Sequence, residues 1–597
     1  MRPSTYRFDK KTILYYQNLK KLTGFLKRNI FLIASTLAVW ALFYDPITQW
    51  NGAYADGDGY MRALRVYHWL LAPTFWEQPI YESNYPFGEY LHWTRPMDII
   101  WTLFTLPFQY MKELKDCIFF SGIFIAPCFG ILATIALTYG LRRIFNIYLT
   151  LIGILLFLIN INVQIFTSPS HPDHHALLLC LPIYSISLIL CWLKKHQNRY
   201  LRWLGLTLAL CTFVSVEGII LYAVFLTFYL YLYVFKNLSL LPPLKITKYF
   251  AFFCTVFWLL NPPHEGWFYA DNNRLSILIV AAAWLAYAGL WILDMSKIHT
   301  PKLKLLSLWS ISLGFILMLS VIFGPQILNY PVDENIKDLF FNYCSEFRRI
   351  YNFGLSTIIP VWISALIALV LNIYMLKKRP YQRLMTLNLI IATPMLILSL
   401  LAARFTNYIP LYSILPILAW IDWLYKRSTY AINKNLNFPA YLYYLILGIF
   451  ILQITAMIPF SLKTRETKFQ SVYDKNIIYA VKNIGGTLAS DFFVGPRYIW
   501  DADVNIVASP YHNNKEGILD TLKLFNAETP GEAIPIILKH QITQILLFDN
   551  YNKAAYPLTE KNKNKLYYRI IKQENIPPFL KEVEDMPDNV RLYQVKI

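Results

Sequence analysis

The stretch "DIIWTLFTLPFQYMK", residues 98–112, is apolar enough to enter a membrane but short for crossing one. As a helix it reaches roughly 22 Å, against a hydrocarbon core of roughly 30 Å, and Pro107 interrupts it. Its status decides the side on which every later loop emerges. Counted as a span, it sends Arg142 and Arg143 to the outer face and misplaces the next basic loop as well. Treated as an interfacial or re-entrant helix, it leaves all the strongly basic loops on one side. Those loops are the N-terminus, Arg142–Arg143, Lys194–Lys195, Lys236 to Lys248, Lys297 to Lys304, "KKRPYQR" (377–383) and "YKRSTYAINK" (425–434). Only this second reading satisfies the positive-inside rule.

Outward from that stretch, apolar runs fall near 29–45, 117–141, 144–166, 175–193, 201–217, 219–235, 249–262, 275–295, 304–324, 355–376, 384–402, 405–424 and 440–460. They predict an α-helical polytopic membrane protein of about thirteen transmembrane helices, N-terminus inside and C-terminus outside. Composition agrees, since 56% of the 597 residues are hydrophobic and only 15% charged. A net charge of +19 suits nucleic acid in principle. Here the Lys and Arg cluster between apolar runs, so the basic excess is assigned to topology and no nucleic-acid partner is expected. The basic start (Arg2, Arg7, Lys10, Lys11) has no small-residue cleavage site after its first apolar run and reads as a retained anchor. The seven cysteines show neither metal-knuckle nor disulfide spacing. Residues 1–28 are assigned to the cytoplasm and 29–460 to the transmembrane domain, with outer loops at 46–116 and 325–354. Residues 461–597 form an outer domain. It mixes β-like runs, "VNIVAS" (504–509) and "ITQILLF" (542–548), with helical ones, which predicts a small α/β fold. With no Walker loop and no internal repeat, an ATP-driven pump is disfavoured.

Chemistry-bearing residues gather in the outer loops. In "YADGDGYMRALRVYHWL" (54–70), Asp56 and Asp58 are separated by glycine and can converge on a hard divalent cation; a wet Gly-Asp turn is the structural alternative. Arg62 and Arg65 sit near the start of the following helix, against the dipole preference, and suggest a phosphate or carboxylate nearby. "TSPSHPDHHALLLCLPI" (167–183) packs Asp173 with His171, His174 and His175 at the mouth of a span. On a regular helix Asp173 and His175 stand about 200° apart, so one ion engages both only if the first turn is irregular, which Pro169 and Pro172 permit. "NYPFGEYLHWTRPMDII" (84–100) offers Arg95 and His92 within what also reads as an interfacial aromatic belt. "NYCSEFRRIYNF" (342–353) brings Glu346 to the edge of a span, and "RFTNYIPLYSILPIL" (404–418) places Arg404 between two spans, a costly position for an arginine without a function.

Taken in order, these segments resemble the catalytic subunit of oligosaccharyltransferase, within the GT-C class of membrane glycosyltransferases. "DGDGYMR" is similar to the family's first-loop Asp motif, "NYPFGEYLHW" to its Tyr-Pro-x-Gly segment, and "PDHH" to the archaeal and bacterial second-loop motif. "CSEFRR" resembles the Ser-Val-Ser-Glu motif, and "RFTNYIPLYSILPIL" the segment whose arginine binds the donor pyrophosphate. The resemblance implies Asp58, Asp173 and His175 as ligands of a divalent metal ion, Mn²⁺ or Mg²⁺. It also implies Asp58 or Asp56 as the catalytic carboxylate, Glu346 as the acceptor-orienting residue and Arg404 on the donor; Tyr408, Arg62 and Arg95 are expected on the substrate from their place in these outer segments. The reaction implied is transfer from a polyprenyl-(pyro)phosphate-linked sugar to a protein, glycan or lipid acceptor on the outer face of the bilayer. The family's Trp-Trp-Asp-Tyr-Gly motif, which reads the acceptor sequon, is absent. Its best-placed counterpart, "SDFFVGPRYIW" (490–500), keeps Asp491 and Gly495 without the paired tryptophans and leaves the acceptor open. A monophosphate-carrier transferase and a lipid-linked glycan transporter are the alternatives. The transporter predicts charges deep in several spans, where only Glu217 is found. The absence of paired outer cysteines and the single-chain architecture favour a bacterial inner membrane.

Overall fold

The computed structural model describes residues 10–43, 53–74, 76, 78–111, 113–328, 334, 336–338, 344–432, 474–549 and 556–597. After α1 (Lys10–Phe43), the first loop carries α2 (Gly57–Leu71) and α3 (Pro96–Thr105). Then come α4 (Leu114–Ile144), α5 (Ile147–Leu158), α6 (Ile161–Phe166), α7 (His174–Lys195), α8 (Asn198–Val214), α9 (Glu217–Lys236) and α10 (Leu241–Leu260). The bundle is completed by α11 (Ile277–Met295), α12 (Pro301–Phe323), α13 (Leu355–Lys378), α14 (Gln382–Leu401) and α15 (Ile409–Ile432). Among the described residues ten helices are long and apolar enough to cross a membrane. The expected run at 144–166 divides, because Asn160 caps a new helix by accepting from Asn162 N, leaving α5 at 12 residues and α6 at 6. The run at 201–217 becomes the 17-residue α8. The run at 440–460 lies outside the described residues, as do parts of the loops at 46–116 and 325–354.

Residues 98–112 remain short. The helix α3 has ten residues and passes at Pro107 into a single 3-10 turn, Leu106–Phe108. Trp101 on its inner face is fully buried and donates to Ser121 Oγ at 2.9 Å, while Leu103, Leu106 and Tyr110 stay exposed. An amphipathic helix with one packed face suits a position along the bundle edge. The charge argument has a direct counterpart as well. Arg142–Arg143, Lys194–Lys195, Lys236 and Lys377–Lys378 occupy the last turns of α4, α7, α9 and α13. Alternation of the chain puts these four ends together, and the starts of α7, α9 and α13 at the other end.

The α4–α7 pair, whose second helix carries the site residues at its start, crosses closely. A Cβ on Gly140 would stand 2.7 Å from Ser187 Cα, so the two backbones approach as only glycine permits. Gly140→Val is expected to destabilise the bundle by about 1–3 kcal/mol, measured as a lower midpoint in detergent unfolding.

The C-terminal region folds as predicted in class. α16 (Lys475–Ile484), β1 (Thr487–Ala489), α17 (Gly495–Ala502), β2 (Asn505–Ile506), α18 (Lys515–Asn526), α19 (Pro530–Lys539), β3 (Ile542–Phe548), α20 (Leu566–Lys572), β4 (Leu580–Glu582) and β5 (Val590–Val595) build one mixed sheet. Strand order is β2-β1-β3-β5-β4, with β2, β1 and β3 parallel and β5 antiparallel to both β3 and β4. The edge at β2 is not left bare. Ile506 N donates to Glu82 O at 2.7 Å and Tyr85 N donates to Ile506 O at 3.2 Å, so the first loop continues the sheet.

Behind that junction Glu89 is buried, and its Oε2 accepts from Ser83 Oγ (2.6 Å), Ser509 Oγ (2.5 Å) and Asn514 Nδ2 (3.2 Å). Burial pushes the Glu89 carboxyl up to about 7, against the lowering effect of those hydrogen bonds. A folded pKa above the unfolded value of about 4.3 means stability that is full below that value and lost as pH rises through about 7. Glu89→Gln retains an acceptor oxygen without ionising. It is expected to remove this dependence and to stabilise at pH 8 by on the order of 1–3 kcal/mol, read as unfolding midpoints across pH 4.5–8.

Candidate active site

Asp56 is extended at φ −149° and caps α2 by accepting from Gly59 N at 3.0 Å. Its other oxygen lies 2.9 Å from His171 Nε2. Burial opposes a charge on His171, but the Asp56 carboxylate outweighs it and pushes the imidazole up to about 10. Asp56 and His171 therefore form an ion pair that ties the first loop to the entry of α7.

Asp173 resolves the helical-spacing difficulty by standing outside the helix. It is the extended N-cap of α7, after Pro172, and its Oδ2 lies 3.3 Å from His175 Nε2. Asp173, His174 and His175 present ligand atoms that all lie within 4.8 Å of one another. The remaining oxygen, Oδ1, accepts from Arg62 Nε at 3.2 Å and caps the His174 N–H. Arg62 is 1% exposed and its guanidinium lies 4.0 Å above the Trp93 ring. The structure thus places Arg62 behind a carboxylate, which also accounts for a basic residue near the start of α2. Arg65 is similarly held by Asp98 at 2.7 Å, and Arg95 by Asp98 (3.1 Å) and the Trp76 carbonyl (2.8 Å), in the body of the first loop.

Glu346 arrives from the later outer loop, its Oε1 3.1 Å from His175 Nε2. Burial opposes its charge, yet His175 and then Arg404 hold it down at about 2. Asp58 faces the same group. Burial, followed by the fields of Asp173, Asp56 and Glu346, pushes its carboxyl well above the ordinary range, partly offset by the 2.8 Å hydrogen bond that Tyr511 donates to Oδ1. Three carboxylates facing one another are short of positive charge. In addition, Asp173 Oδ2 and His175 Nδ1 are buried without hydrogen-bond partners. An oxygen-and-imidazole donor set with uncompensated charge fits a divalent cation.

Arg404 lies 2.6 Å from Glu217 Oε1, at the start of α9, and above the Phe347 ring at 5.2 Å. Tyr408 donates to Glu217 Oε2 at 2.7 Å. The structure brings Asp58, Asp173, His175 and Glu346 into one electrostatic group, with Arg404 on its border.

Sequence reasoning did not single out Tyr511 and His512. They follow β2 in "SPYHNN" (509–514), and nothing in that string marks a site before the domain is docked. Tyr511 packs edge-on against Trp93 at 4.9 Å, and the His512 ring lies 4.6 Å from that of His92. Burial, then the nearby Arg404, lowers His512 to about 4. Glu217 was visible only as a lone acid in an apolar run. In "SDFFVGPRYIW", Asp491 turns inward to accept from Phe493 N at 3.0 Å and is 3% exposed, while Pro496 packs over Gly57. That segment is used for docking onto α2.

No protein-family model matches this chain, and no curated protein matches its sequence. Solved structures do match in fold. The apo oligosaccharyltransferase of Archaeoglobus fulgidus is similar with a TM-score of 0.68 and 15% identity, over 87% of this chain and 69% of that one. The archaeal oligosaccharyltransferase AglB of the same organism, in complex with an inhibitory peptide and a dolichol-phosphate, aligns at 0.67 and 13% identity, over 88% and 70%. A complex of the A. fulgidus protein with zinc and sulfate aligns at 0.62 and 15%, over 89% and 70%. The multi-pass helical bundle with its C-terminal α/β domain is therefore the GT-C membrane fold, in the arrangement seen in archaeal oligosaccharyltransferase.

Proposed function

We propose that this chain is a metal-dependent membrane glycosyltransferase that moves a sugar or glycan from a polyprenyl-(pyro)phosphate carrier to an acceptor on the outer face. The observation that carries the reading is the convergence of Asp58, Asp173, His175 and Glu346 at the helix ends opposite the basic ones, with Arg404 beside them. The A. fulgidus relatives that share the fold were solved with zinc and sulfate, with a dolichol-phosphate and with an acceptor peptide, which supports a lipid donor. On this reading residues 29–460 form the catalytic bundle and 461–597 the outer domain, in a plasma membrane with a cytoplasmic N-terminus.

Asp58, Asp173 and His175 would hold a divalent ion, Mn²⁺ or Mg²⁺, which would supply charge neutralisation for the phosphate leaving group. Arg404 contacts the donor phosphate with its guanidinium, and Tyr408 sets the Glu217 carboxylate behind it. Arg62 keeps Asp173 ionised and oriented. The acceptor's oxygen or nitrogen attacks the anomeric carbon as the bond to the phosphate oxygen breaks. Its proton passes to the Asp58 carboxylate, and the configuration inverts. Glu346 orients the acceptor. Asp56 is the weaker candidate for the base, because His171 and the α2 cap engage its carboxylate. With Asp491 turned inward and no paired tryptophans, a glycan or lipid hydroxyl is favoured over a sequon. Arg95 is assigned to the architecture of the first loop, behind the donor site.

Purified protein given a synthetic polyprenyl-linked sugar and a panel of peptide, glycan and lipid acceptors tests this directly. Transfer is expected with Mg²⁺ or Mn²⁺, to vanish with chelator, and to return on metal addition. Turnover unaffected by chelation contradicts the metal; no transfer or donor hydrolysis with any carrier contradicts the function.

A further inference from the structure

Behind the arginine assigned to the donor phosphate, the structure adds a carboxylate that none of the ordered sequence motifs contains. Glu217 opens α9 at a turn so tight that a Cβ on Gly218 would land on the Thr212 backbone. The residue is 8% exposed. One oxygen is ion-paired with Arg404 Nη2 at 2.6 Å and the other accepts from Tyr408 Oη at 2.7 Å. Arg404 thus meets any phosphate as half of a largely buried neutral pair, with Glu346 as a further acidic neighbour. Each guanidinium at the site is already matched by a carboxylate, Arg404 by Glu217 and Arg62 by Asp173, so neither brings uncompensated positive charge to a donor. The Asp56–His171 ion pair adds nothing net.

We infer that Glu217 is a specificity-determining residue that restricts the donor to a lipid carrier with a single phosphate. The inference rests on the donor reading of Arg404 given above. A sugar phosphodiester brings one negative charge into this site, whereas a pyrophosphate diester brings two. The second charge lies against a carboxylate that cannot withdraw, because Tyr408 and Arg404 hold both of its oxygens. Like-charge juxtaposition in a desolvated site is an effective way to reject the wrong ligand. It acts on the choice between carriers and not on the chemistry of transfer, so binding alone reveals it.

The test measures binding of a polyprenyl-monophosphate sugar and a polyprenyl-pyrophosphate sugar, with the same sugar and equal chain length, to the full chain in nanodiscs with Mg²⁺. Wild-type protein is expected to bind the monophosphate at least about tenfold more tightly. Glu217→Gln retains an acceptor for Tyr408 and removes the charge. It is expected to bring the ratio within about threefold, by tightening the pyrophosphate. Glu217→Asp retains the charge and the preference. A wild-type preference for pyrophosphate overturns the inference, and so does an unchanged ratio in Glu217→Gln. Should the Gln variant fail to fold, the wild-type ratio and the Asp variant still decide. If wild-type protein binds neither lipid, the lipid-donor reading itself falls, an outcome distinct from binding both without preference.

Discussion

Asp173→Asn is expected to lower turnover by about 100- to 1000-fold and to abolish stimulation by added Mg²⁺ or Mn²⁺. The substitution is chosen for what it preserves. Asn retains an oxygen that caps the His174 N–H and accepts from Arg62, so the start of α7 keeps its geometry. It replaces Oδ2, the buried oxygen with no hydrogen-bond partner, by an amide nitrogen that binds no cation. A metal site therefore loses a charged ligand while the helix cap survives. A purely structural Asp173 gives the opposite pattern, with a lower unfolding midpoint and the metal response intact. Parallel measurement of turnover, metal stimulation and unfolding midpoint separates the two.

Arg62→Met is expected to give the largest stability effect. Removing one member of a buried ion pair costs about 3–5 kcal/mol, because the partner is left charged and desolvated. Arg62 and Asp173 are both almost wholly buried, and the guanidinium also loses its place over Trp93. Met conserves the volume, so the loss is one of charge more than of packing. The metal account adds a signature. A divalent ion on Asp173 supplies the missing positive charge, so the variant should be far less stable than wild type in chelator and much closer to it in saturating metal. An equal deficit under both conditions contradicts an ion at Asp173.

How much of this was legible in the sequence follows from what each signal depends on. The shortness of the helix at residues 98–112 was legible because length is a local quantity, and α3 has ten residues. Asp173 and His175 were legible as residues but not as geometry. Helical spacing separated them, and only the N-cap position of Asp173 shows why the separation does not apply. Arg62 was legible as a partner for a phosphate or carboxylate, and the carboxylate that meets it in the structure is Asp173, 111 positions away. Asp56 looked equivalent to Asp58 until His171, another residue of the second loop, claimed it. Tyr511 was beyond reach and Glu217 was legible only as a lone acid, since each acquires its meaning from a distant partner, Asp58 across 453 positions and Tyr408 across 191. The broken run at 144–166 shows the converse limit. Hydropathy is continuous there, and the Asn160 cap breaks the helix.

The central claim is that Asp58, Asp173 and His175 hold one divalent ion on which the proposed transfer depends. Mn²⁺ titration of the purified full chain, followed by loss of the free-ion resonance signal, tests it without a donor or acceptor. The account predicts one tight site in wild-type protein, weakened at least about tenfold in Asp58→Asn, Asp173→Asn and His175→Ala alike, and unchanged in Glu89→Gln. Equal Mn²⁺ affinity in wild type and all three site variants would contradict it.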